Sequence, residues 1–492
     1  MARAAARSED AVSAGVDGVV AAAWAVYLAS LAALALFGAH RVWLVALAWR
    51  ARRRAPAVVE VPEALPVVTV QLPLFDEPAV AGRLLAAVAA LDWPRDRLEI
   101  QILDDSRDQT TAICAQAAAR MRADGLDVVH LRRAHRDGFK AGALEAGRAI
   151  ARGSLLLVLD ADFVPAPSLV RDTVGHFADP RVAMVQVRWE HLNRPASLLT
   201  EAQALLLDGH FAIEQPARAW TGRICNFNGT AGVWRAAAID DAGGWHADTL
   251  TEDLDLSYRA ALRGWRFVYL TRAAAPAELP ATMSAFRSQQ FRWAKGSVEC
   301  ARKLLPAAVR APLPRRARVE AAFHLAHNLP YLATATMAVA GTIALAAGDG
   351  PRVAAPLHVA TAIATALVLG AYAIASQRAL GRRVLPALAR LPALVALTVG
   401  ISLGQARAVL EGALGVRSGF VRTPKDGAIG ATRAVTHRRA RWRDYYLEMI
   451  AALGASVAAV DAVAHGALPA ALALALFASG WAWVAAATAL GR

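Results

Sequence analysis

Long uncharged segments near both ends of the chain limit most strongly how it can fold. Residues 19–37 contain no charged side chain, and this run of 19 residues is close to the roughly 20 that a helix needs to cross a bilayer. A cleaved signal peptide has a shorter apolar core, of about 7 to 15 residues. Here the run is instead followed by five arginines, at positions 41, 50, 52, 53 and 54. We therefore expect a retained membrane anchor with a cytoplasmic basic flank.

A second apolar region begins after Pro306. Three segments in it meet the length criterion for a membrane-spanning helix: 329–347, 353–376 and 467–490. Residues 445–464 are a weaker candidate because an acid lies near each end, and 391–403 is short enough to favour an interfacial or re-entrant helix. Residues 417–443 contain eight Lys or Arg against one acid, which predicts a cytoplasmic loop. The pattern predicts five spans, an outer amino terminus and an inner carboxyl terminus.

The chain has a formal net charge of +14, which does not require a nucleic acid partner. Its basic residues concentrate beside the predicted spans and in residues 295–318, where anionic lipid headgroups are the natural partner. No signature of a DNA- or RNA-binding module accompanies them. The three cysteines are odd in number and form no CxxC pair, so they predict neither a zinc site nor a disulfide framework. We expect membrane lipids, and no nucleic acid, as partners.

Between the apolar regions, residues 60–305 alternate in the manner of an α/β domain. Short β-branched or apolar runs predict five strands, at 67–72, 98–103, 127–131, 155–159 and 182–187. Acidic pairs follow two of these strands: Asp104 and Asp105 come after the second, and Asp160 and Asp162 after the fourth. Because ligands of open α/β sheets bind beyond the carboxyl ends of the strands, both pairs are expected at one site.

Three clusters follow one another in the order that a nucleotide-sugar transferase needs. In LDADF, Asp160 and Asp162 can hold a hard divalent cation, Mg²⁺ or Mn²⁺, against a diphosphate. In TED, a carboxylate can serve as base. In QQFRW, Arg292 offers a fixed cation for the departing phosphate, and the adjacent tryptophan offers an aromatic face for a sugar. A single DxD is about as often a turn as a site, whereas the three clusters together favour glycosyl transfer.

The TED cluster contains more than one candidate base. Glu252 and Asp253 are adjacent carboxylates, which makes the assignment between them ambiguous. Asp255 is a third candidate. It lies four residues before Arg259, however, so the two can simply form an ion pair along one helix.

Eight motifs give the chain a family resemblance: QLPLFDE, LDDS, GFKAGAL, LDADF, FNGTAGVWR, TEDLDLSYR, QQFRWAKGS and, in a later loop, FVRTPK. In these motifs the chain resembles the processive glycosyltransferases of family 2, and among them the cellulose-synthase-like A and C synthases of glucomannan and glucan. The motifs cover residues 67–303 and 420–425. The resemblance implies an α/β GT-A glycosyltransferase domain inserted between transmembrane α-helices, with about five spans plus interfacial helices.

The resemblance also implies a role for each motif residue. Nucleotide-sugar contacts fall on Asp104 or Asp105, Lys140, Gly142, Asp160, Gln289, Arg292, Thr423 and Lys425. Metal contacts fall on Asp160 and Asp162, and the catalytic base on Asp253 with Glu252 beside it. Acceptor contacts fall on Phe227, Asn228, Gly229, Thr230 and Trp293. Residues 420–425 are similar to a gating loop that closes over the nucleotide. A basic loop that binds lipid headgroups is the alternative, for which Phe420, Thr423 and Pro424 are unnecessary.

These patterns lead to one main hypothesis and one alternative. The main hypothesis is an inverting hexosyltransferase that extends a β-linked mannan, glucomannan or glucan and couples synthesis to export. Its donor is GDP-mannose, GDP-glucose or UDP-glucose. The alternative is a single addition to a lipid acceptor, as in ceramide glucosyltransferase. Gln289, the 420–425 loop and the later spans favour the polymer. A catalytically silent export scaffold is disfavoured because every expected chemical position is filled.

The predicted organisation has five parts: an anchor with a basic flank (1–55), a cytoplasmic catalytic domain (60–305), transmembrane and interfacial helices (306–416), a cytoplasmic gating loop (417–443) and carboxyl-terminal transmembrane helices (444–492). We expect the protein in the plasma (inner) membrane, with the catalytic domain in the cytoplasm.

Overall fold

The computed structural model describes residues 2–346, 351–417, 419, 425, 427 and 441–491. The strands are β1 (Val68–Leu74), β2 (Leu98–Asp104), β3 (Asp127–Leu131), β4 (Leu155–Val158), β5 (Val182–His191), β6 (Gly232–Arg235) and β7 (Arg266–Ala277). The helices up to the end of the sheet domain are α1 (Ala2–Ala51), α2 (Ala81–Ala89), α3 (Thr110–Ala123), α4 (Phe139–Ile150), α5 (Leu169–Val174), α6 (Leu198–Gly209), α7 (Gln215–Ala219), α8 (Ala236–Asp241) and α9 (Glu252–Leu262). Those that follow are α10 (Met283–Arg310), α11 (Arg315–Leu325), α12 (Leu329–Ala346), α13 (Pro351–Ala379), α14 (Val384–Gly400), α15 (Ser402–Leu414), α16 (Tyr446–Ala464) and α17 (Leu468–Ala489).

The seven strands form one mixed sheet in the order β3-β2-β1-β4-β6-β5-β7. β1 pairs in parallel with β2 and β4, whereas β6 runs antiparallel to both β4 and β5. The five strands predicted from the sequence are confirmed, although β5 continues four residues beyond the predicted end, to His191. Two strands were missed. β6 has only four residues, whereas β7 begins with FVYL, a run typical of a strand, and only its second half is mostly alanine.

The centre of the sheet is buried on both faces, as expected for parallel strands covered by helices. On one face Leu72, Ile100 and Leu157 are completely buried. On the other face β1 and β2 are joined by two buried polar contacts, Thr69 with Glu99 and Gln71 with Gln101. One apolar cluster joins the sheet to α2, α3 and α5, and a second joins it to α4, α8 and α9. The domain therefore has three layers, with the carboxyl ends of β1, β2 and β4 opening at one edge.

Several apolar helices flank this domain. Within the described residues, four helices are long and apolar enough to cross a membrane: Gly18–Arg54, Val359–Ala379, Tyr446–Ala464 and Leu468–Ala489. The pair α14 and α15, bent by 46°, would make a fifth if it counts as one span. The predicted span at 329–347 overlaps the apolar helix α12, which has 18 residues. The bent pair contains the segment that was predicted as interfacial or re-entrant. The count of five spans, their orientation and the domain limits stay predictions.

The helix α10 joins the sheet domain to the flanking helices. It has 28 residues, and Thr282 caps its first turn by accepting a hydrogen bond from the Ala285 amide. Further along, the fully buried Lys295 forms an ion pair with Glu411 of α15 at 3.1 Å. Arg302 also donates to the carbonyl oxygen of Gly412. The QQFRW motif therefore lies on a helix that is fixed at its far end to α15.

Candidate active site

The candidate site is a cavity of about 200 Å³ at the carboxyl ends of β1 and β4, where an open α/β sheet is expected to bind its ligand. Its walls come from these strand ends, from β5, from the start of α9 and from α10. Twelve of the residues predicted from the sequence line it: Asp105, Lys140, Asp160, Asp162, Asn228, Gly229, Glu252, Asp253, Gln289, Arg292, Trp293 and Lys425. Asp104, Gly142, Phe227 and Thr230 do not line it, and Thr423 lies outside the described residues.

Lys140 connects three of the predicted motifs. It lies in the first turn of α4, and its Nζ donates to Asp160 Oδ1 at 2.6 Å and to the Gly229 carbonyl at 2.8 Å. Glu252 Oε1 is 3.8 Å away. Burial alone would lower the pKa of Lys140, but Asp160 and Glu252 outweigh burial and raise it. The amine therefore stays charged, facing the place where a phosphate would lie.

Asp162, the second aspartate of LDADF, is held from two sides. Its Oδ2 accepts a hydrogen bond from Lys425 Nζ at 2.7 Å and one from the Glu278 amide at 3.2 Å. The side chain of Asp162 is 5% exposed, whereas that of Asp160 is 34% exposed. The two carboxylates lie at one strand end in the cavity and supply the oxygen ligands that Mg²⁺ and Mn²⁺ prefer. The residues present therefore fit a divalent cation.

Asp253 is the buried carboxylate of the TED cluster. Burial raises its pKa to about 7, and the neighbouring carboxylate of Glu252 adds to the rise. Gly229 permits this arrangement because its φ is +81° and a Cβ atom there would lie 3.2 Å from Asp253 Oδ2. The competing acid Asp255 is fully buried away from the cavity, where Arg259 and Lys303 bind it at 2.7 and 2.8 Å.

The two aspartates after β2 have different positions. Asp105 lines the cavity, and Arg133 binds it through two hydrogen bonds, at 3.0 and 2.5 Å. Asp104 is buried behind it and accepts from His130 and from the Ser106 amide. Burial favours a higher pKa for Asp104, but these hydrogen bonds outweigh burial and lower it. Of the two predicted residues, the structure therefore brings Asp105 to the ligand side and leaves Asp104 in a supporting position.

Gly142 is also a supporting residue. A Cβ atom at this position would collide with the carbonyl group of Asp137 and with the Arg133 side chain. The close approach that a glycine allows here is thus between α4 and the loop before it, and the nucleotide contact of Gly142 stays a prediction.

The predicted acceptor loop, FNGT, needs a correction. Phe227 is completely buried and packs against Trp234 and Trp245, so its ring belongs to the core and cannot contact an acceptor. Thr230 is also buried, and its hydroxyl accepts a hydrogen bond from the Asp160 amide at 2.9 Å. Asn228 does line the cavity. Within FNG, Phe227 therefore packs in the core, whereas Asn228 and Gly229 line the cavity. The motif alone does not show this difference.

The Asn228 side chain is oriented by protein groups on both sides. Its Oδ1 accepts from Gln215 Nε2 at 2.7 Å, and its Nδ2 lies 3.1 Å from His210 Nε2. His210 in turn contacts Glu214 through Nδ1 at 3.3 Å. With His210 protonated on Nδ1, all three contacts are satisfied, which holds the Asn228 amide in one orientation.

Gln289, Arg292 and Trp293 reach the cavity from α10. Burial lowers the pKa of Arg292, while Glu252 and Asp160 act in the opposite direction. Trp293 meets Trp189 of β5 with ring centroids 6.5 Å apart. This end of the cavity is therefore aromatic, in contrast to the charged end around Asp105.

The cavity residues that were not predicted from the sequence include Phe75, Arg136, Trp189, His191 and Glu278. The guanidinium of Arg136 lies 3.4 Å from the centroid of the Phe75 ring. Glu278 follows β7, which was missed, so its position at a strand end could not be inferred. Trp189 and His191 lie beyond the predicted end of β5. Side chains alternate between the two faces of a strand. A prediction that extended β5 to His191 would therefore have placed Trp189 and His191 on one face.

A separate group of possible metal ligands, His246, Asp248 and Asp255, lies outside the cavity. The ammonium group of Lys303 is 3.2 Å from His246 Nδ1 and 2.8 Å from each of the two carboxylates. A lysine therefore supplies the cation that these groups need, and we assign the cluster a structural role.

The mixed sheet, the two aspartates at a strand end and a cavity lined by both acids and cations are the features expected of a domain that binds nucleotide sugars. Comparison with known proteins gives the family. The family profile "Glycosyltransferase like family 2" matches residues 66–296, so the chain contains a glycosyltransferase family 2 domain. The predicted family is thus confirmed.

Curated relatives match the same part of the chain. Glucomannan 4-beta-mannosyltransferase 2 of Arabidopsis thaliana is 42% identical over 250 residues, which are 50% of this chain and 47% of that protein. Glucomannan 4-beta-mannosyltransferase 1 of Oryza sativa subsp. japonica is 41% identical over 254 residues, with 50% and 48% covered. The chain thus spans about half the length of the curated relatives that it matches.

One solved structure is similar over most of its length. The mannosyltransferase PcManGT from Pyrobaculum calidifontis, in complex with GDP-Man and Mn²⁺, superimposes with a TM-score of 0.53 at 26% identity and covers 70% of this chain and 98% of that one. The GT-A fold predicted for the sheet domain is confirmed, and the neighbour's Mn²⁺ supports a divalent metal in this fold.

Proposed function

We propose that this protein transfers hexosyl units from a nucleotide sugar to a growing β-linked polysaccharide at a membrane. The observation that carries the proposal is the gathering in one cavity of the paired aspartates, the buried Asp253 and the Arg292–Trp293 pair. GDP-mannose is the proposed donor, because the curated relatives are named glucomannan mannosyltransferases and PcManGT was solved with GDP-Man. GDP-glucose and UDP-glucose remain the other candidate donors.

Asp160 and Asp162 would hold a divalent cation, Mg²⁺ or Mn²⁺. When bound, such a cation neutralises charge on the diphosphate oxygens. On the protein side, Lys140 and Arg292 contribute two further positive charges next to Asp160 and Glu252. Fixed cations of this kind stabilise the charge that develops on a departing diphosphate, because they need no reorganisation during the reaction.

Asp253 acts as the general base in this proposal. Its carboxylate removes the proton from an acceptor hydroxyl while that oxygen forms a bond to the anomeric carbon. The bond from that carbon to the phosphate oxygen breaks at the same time, and its electron pair leaves with the nucleoside diphosphate. A single displacement inverts the anomeric carbon, so an α-linked donor gives a β-glycosidic bond. A pKa near 7 suits a base that works at neutral pH.

The contacts of Lys425 favour the proposal that the FVRTPK motif forms a lid over the nucleotide. Lys425 is the described residue of the FVRTPK motif, and its ammonium binds Asp162 while Gly427 donates to the Glu278 carboxylate at 3.2 Å. Lys425 thus reaches Asp162 from a distant part of the chain. Phe420, Thr423 and Pro424, whose roles as a gate were predicted with it, lie outside the described residues. Lids that close over a substrate and reopen at each cycle are suited to a processive enzyme.

The proposed location follows from the apolar helices. We place the protein in the plasma (inner) membrane with its catalytic domain in the cytoplasm, where nucleotide sugars are made, and we propose that the polymer is passed outward as it grows. The basic residues beside α1, such as Arg52 and Arg53, favour that side and contact with anionic lipid headgroups.

One experiment tests the donor and the product together. Protein purified in detergent would be given radiolabelled GDP-mannose, GDP-glucose or UDP-glucose with Mn²⁺, and the product would be digested with a β-mannanase or a β-glucanase. We expect an alkali-insoluble polymer made from GDP-mannose and cut by β-mannanase. Label that dissolves in organic solvent would favour a lipid acceptor, and no incorporation from any of the three donors would overturn the proposal. The Asp253→Asn variant serves as the matched inactive control.

A further inference from the structure

The turn His210–Glu214, between α6 and α7, is π-helical. In it the Gln215 amide donates to the His210 carbonyl, an i→i+5 hydrogen bond in place of the i→i+4 bond of a regular α-helix. Turns of this kind are rare in proteins, and they are frequently found at functional sites. His210 and Gln215 do not themselves line the cavity, so an effect of this turn on the chemistry has to pass through another residue.

The wider turn changes which side chains share a face of the helix. In a regular α-helix, with 3.6 residues per turn, residues 210 and 215 would point about 140° apart. The i→i+5 bond instead places residue 215 one turn after residue 210. Both side chains consequently reach Asn228: Gln215 Nε2 donates to its Oδ1 at 2.7 Å, and its Nδ2 lies 3.1 Å from His210 Nε2. The π-helical turn therefore lets one helical segment hold both ends of one amide.

Glu214, the last residue of the turn, determines where His210 carries its proton. Nδ1 of His210 lies 3.3 Å from Glu214 Oε2, and Glu214 also accepts from the Tyr372 hydroxyl at 2.7 Å and from Arg218 at 3.3 Å. Burial favours a higher pKa for Glu214, but the His210 hydrogen bond and the Arg218 charge outweigh burial and lower it well below its usual value. An ionised carboxylate only accepts, so the neutral imidazole is protonated on Nδ1 and its Nε2 accepts from Asn228.

The Asn228 amide is left with a defined pair of free hydrogen-bonding sites. Its contacts with His210 and Gln215 use one of the two N–H groups and one of the two lone pairs of the oxygen. One N–H group and one lone pair remain, on a residue that lines the cavity. A sugar hydroxyl both donates and accepts and therefore matches such a pair, whereas an ionised phosphate oxygen only accepts.

The next residue in the chain places this amide beside the proposed base. A Cβ atom at Gly229 would lie 3.2 Å from Asp253 Oδ2, and the Gly229 carbonyl accepts from Lys140 at 2.8 Å. Asn228 is therefore adjacent to the carboxylate that would remove the proton from an acceptor hydroxyl. A small rotation of its amide would change the hydrogen bonds offered to a sugar at the place where the bond forms.

We propose that His210 is a positioning residue, which together with Gln215 fixes the Asn228 amide so that it binds a hydroxyl group of the sugar beside Asp253. The π-helical turn is the structural device that makes this possible, because it brings the side chains of His210 and Gln215 to one face. The inference rests on the proposed function and deepens it, since it names a residue outside the cavity that controls how the sugar is held.

A double-mutant cycle tests whether His210 acts through Asn228. The variants His210→Leu, Asn228→Ala and their combination would be assayed with β-1,4-linked mannotetraose and GDP-mannose. We expect His210→Leu to lower kcat/KM about threefold to tenfold, as for the loss of one hydrogen bond. The double variant should stay within about twofold of Asn228→Ala alone, because the losses of coupled residues do not add. His210→Gln, whose side-chain oxygen can accept from Asn228, should recover most of the loss.

The same series shows which sugar the amide binds. A fall in kcat/KM for mannotetraose alone assigns the hydroxyl to the acceptor, and a fall for GDP-mannose alone assigns it to the donor hexose. Thermal unfolding of each variant checks that it is folded, and His210→Ala, a second removal of the ring, should give the same pattern as His210→Leu.

His176→Leu is the matched control. His176 is also a half-buried histidine on a short helical turn, but it does not line the cavity and lies far along the chain from Asn228. It should leave kcat/KM as in the parent enzyme. If the losses of His210→Leu and Asn228→Ala multiply, or if His210→Gln is as slow as His210→Leu, the positioning role is overturned while the proposed function stands. A parent enzyme that transfers no hexose overturns the function and the positioning role together.

Discussion

The two ends of the cavity are built from different chemistry. At the nucleotide end, carboxylates meet cations: Asp105 meets Arg133, and Asp162 meets Lys425. At the proposed acceptor end, Trp189 and Trp293 lie with ring centroids 6.5 Å apart, and the buried His191, whose pKa burial lowers to about 4, also lines the cavity. The difference follows from what each end would hold. A diphosphate carries charge that must be balanced, whereas a sugar is neutral and must mainly be oriented. Substitutions at the charged end should therefore abolish transfer, whereas substitutions at the aromatic end should mainly raise the acceptor KM.

The largest effect is expected at the charged end. Asp162→Ala removes one of the two carboxylates that fit a divalent cation, and we expect transfer from GDP-mannose to be abolished. A chelator should inactivate the parent enzyme in the same way, and added Mn²⁺ should restore it. Asp172→Ala, at an exposed acid outside the cavity, is the control and should keep full activity. Full activity of the parent in EDTA would rule out the metal.

The next largest loss of turnover is expected at Asp253, between the charged and the aromatic ends of the cavity. Asp253→Asn is nearly isosteric, so it should preserve donor binding and lower turnover by about 100-fold or more, as loss of a general base does. In the parent enzyme kcat/KM should rise with pH through about 7, because the base must be deprotonated and burial raises the pKa of Asp253 to about 7. If Glu252→Gln loses turnover while Asp253→Asn does not, Glu252 is the base.

A smaller and selective effect is expected at the aromatic end. Trp293→Ala removes the stacking face and should raise the acceptor KM about threefold to tenfold, since an aromatic contact contributes about 0.5 to 1.5 kcal/mol beyond its buried area. The donor KM should stay within about twofold of the parent value, because the charged end is intact. An equal rise of both constants, measured with mannotetraose and GDP-mannose, would show that the two ends are not separable.

The smallest effect on catalysis is expected at Phe227. The ring lies in the core beneath the acceptor loop, so Phe227→Leu should lower the free energy of unfolding by about 1 to 2 kcal/mol. The acceptor KM should not change. Thermal unfolding together with acceptor kinetics checks both parts. A raised acceptor KM with an unchanged unfolding midpoint would return Phe227 to the acceptor contacts that its motif implied.

The sequence predicts the charged end of the cavity better than the aromatic end. Asp105, Lys140 and Asp160 lie at strand or helix ends within short motifs, so local patterns place them. Trp189 and His191 depend on where β5 ends and on how β7 pairs with it, and that information lies in contacts between distant segments.

The same reasoning explains the errors in the acceptor loop. Phe227 and Asn228 are adjacent in one motif, yet the first packs in the core and the second lines the cavity. A motif shows which residues occur together but not which way each side chain points.

The attachment of α10 to α15 couples the position of the Trp293 ring to that of a distant helix. Trp293 is only two residues from Lys295, or about 3 Å along the helix axis at 1.5 Å per residue, and Lys295 binds Glu411 of α15. A displacement of α15 would therefore reach Trp293 through a short, stiff piece of helix and would hardly be damped on the way. Misplacement of about 1 Å can already cost an enzyme about 100-fold in rate. The rate of sugar addition would thus depend on how firmly α15 is held by its neighbours.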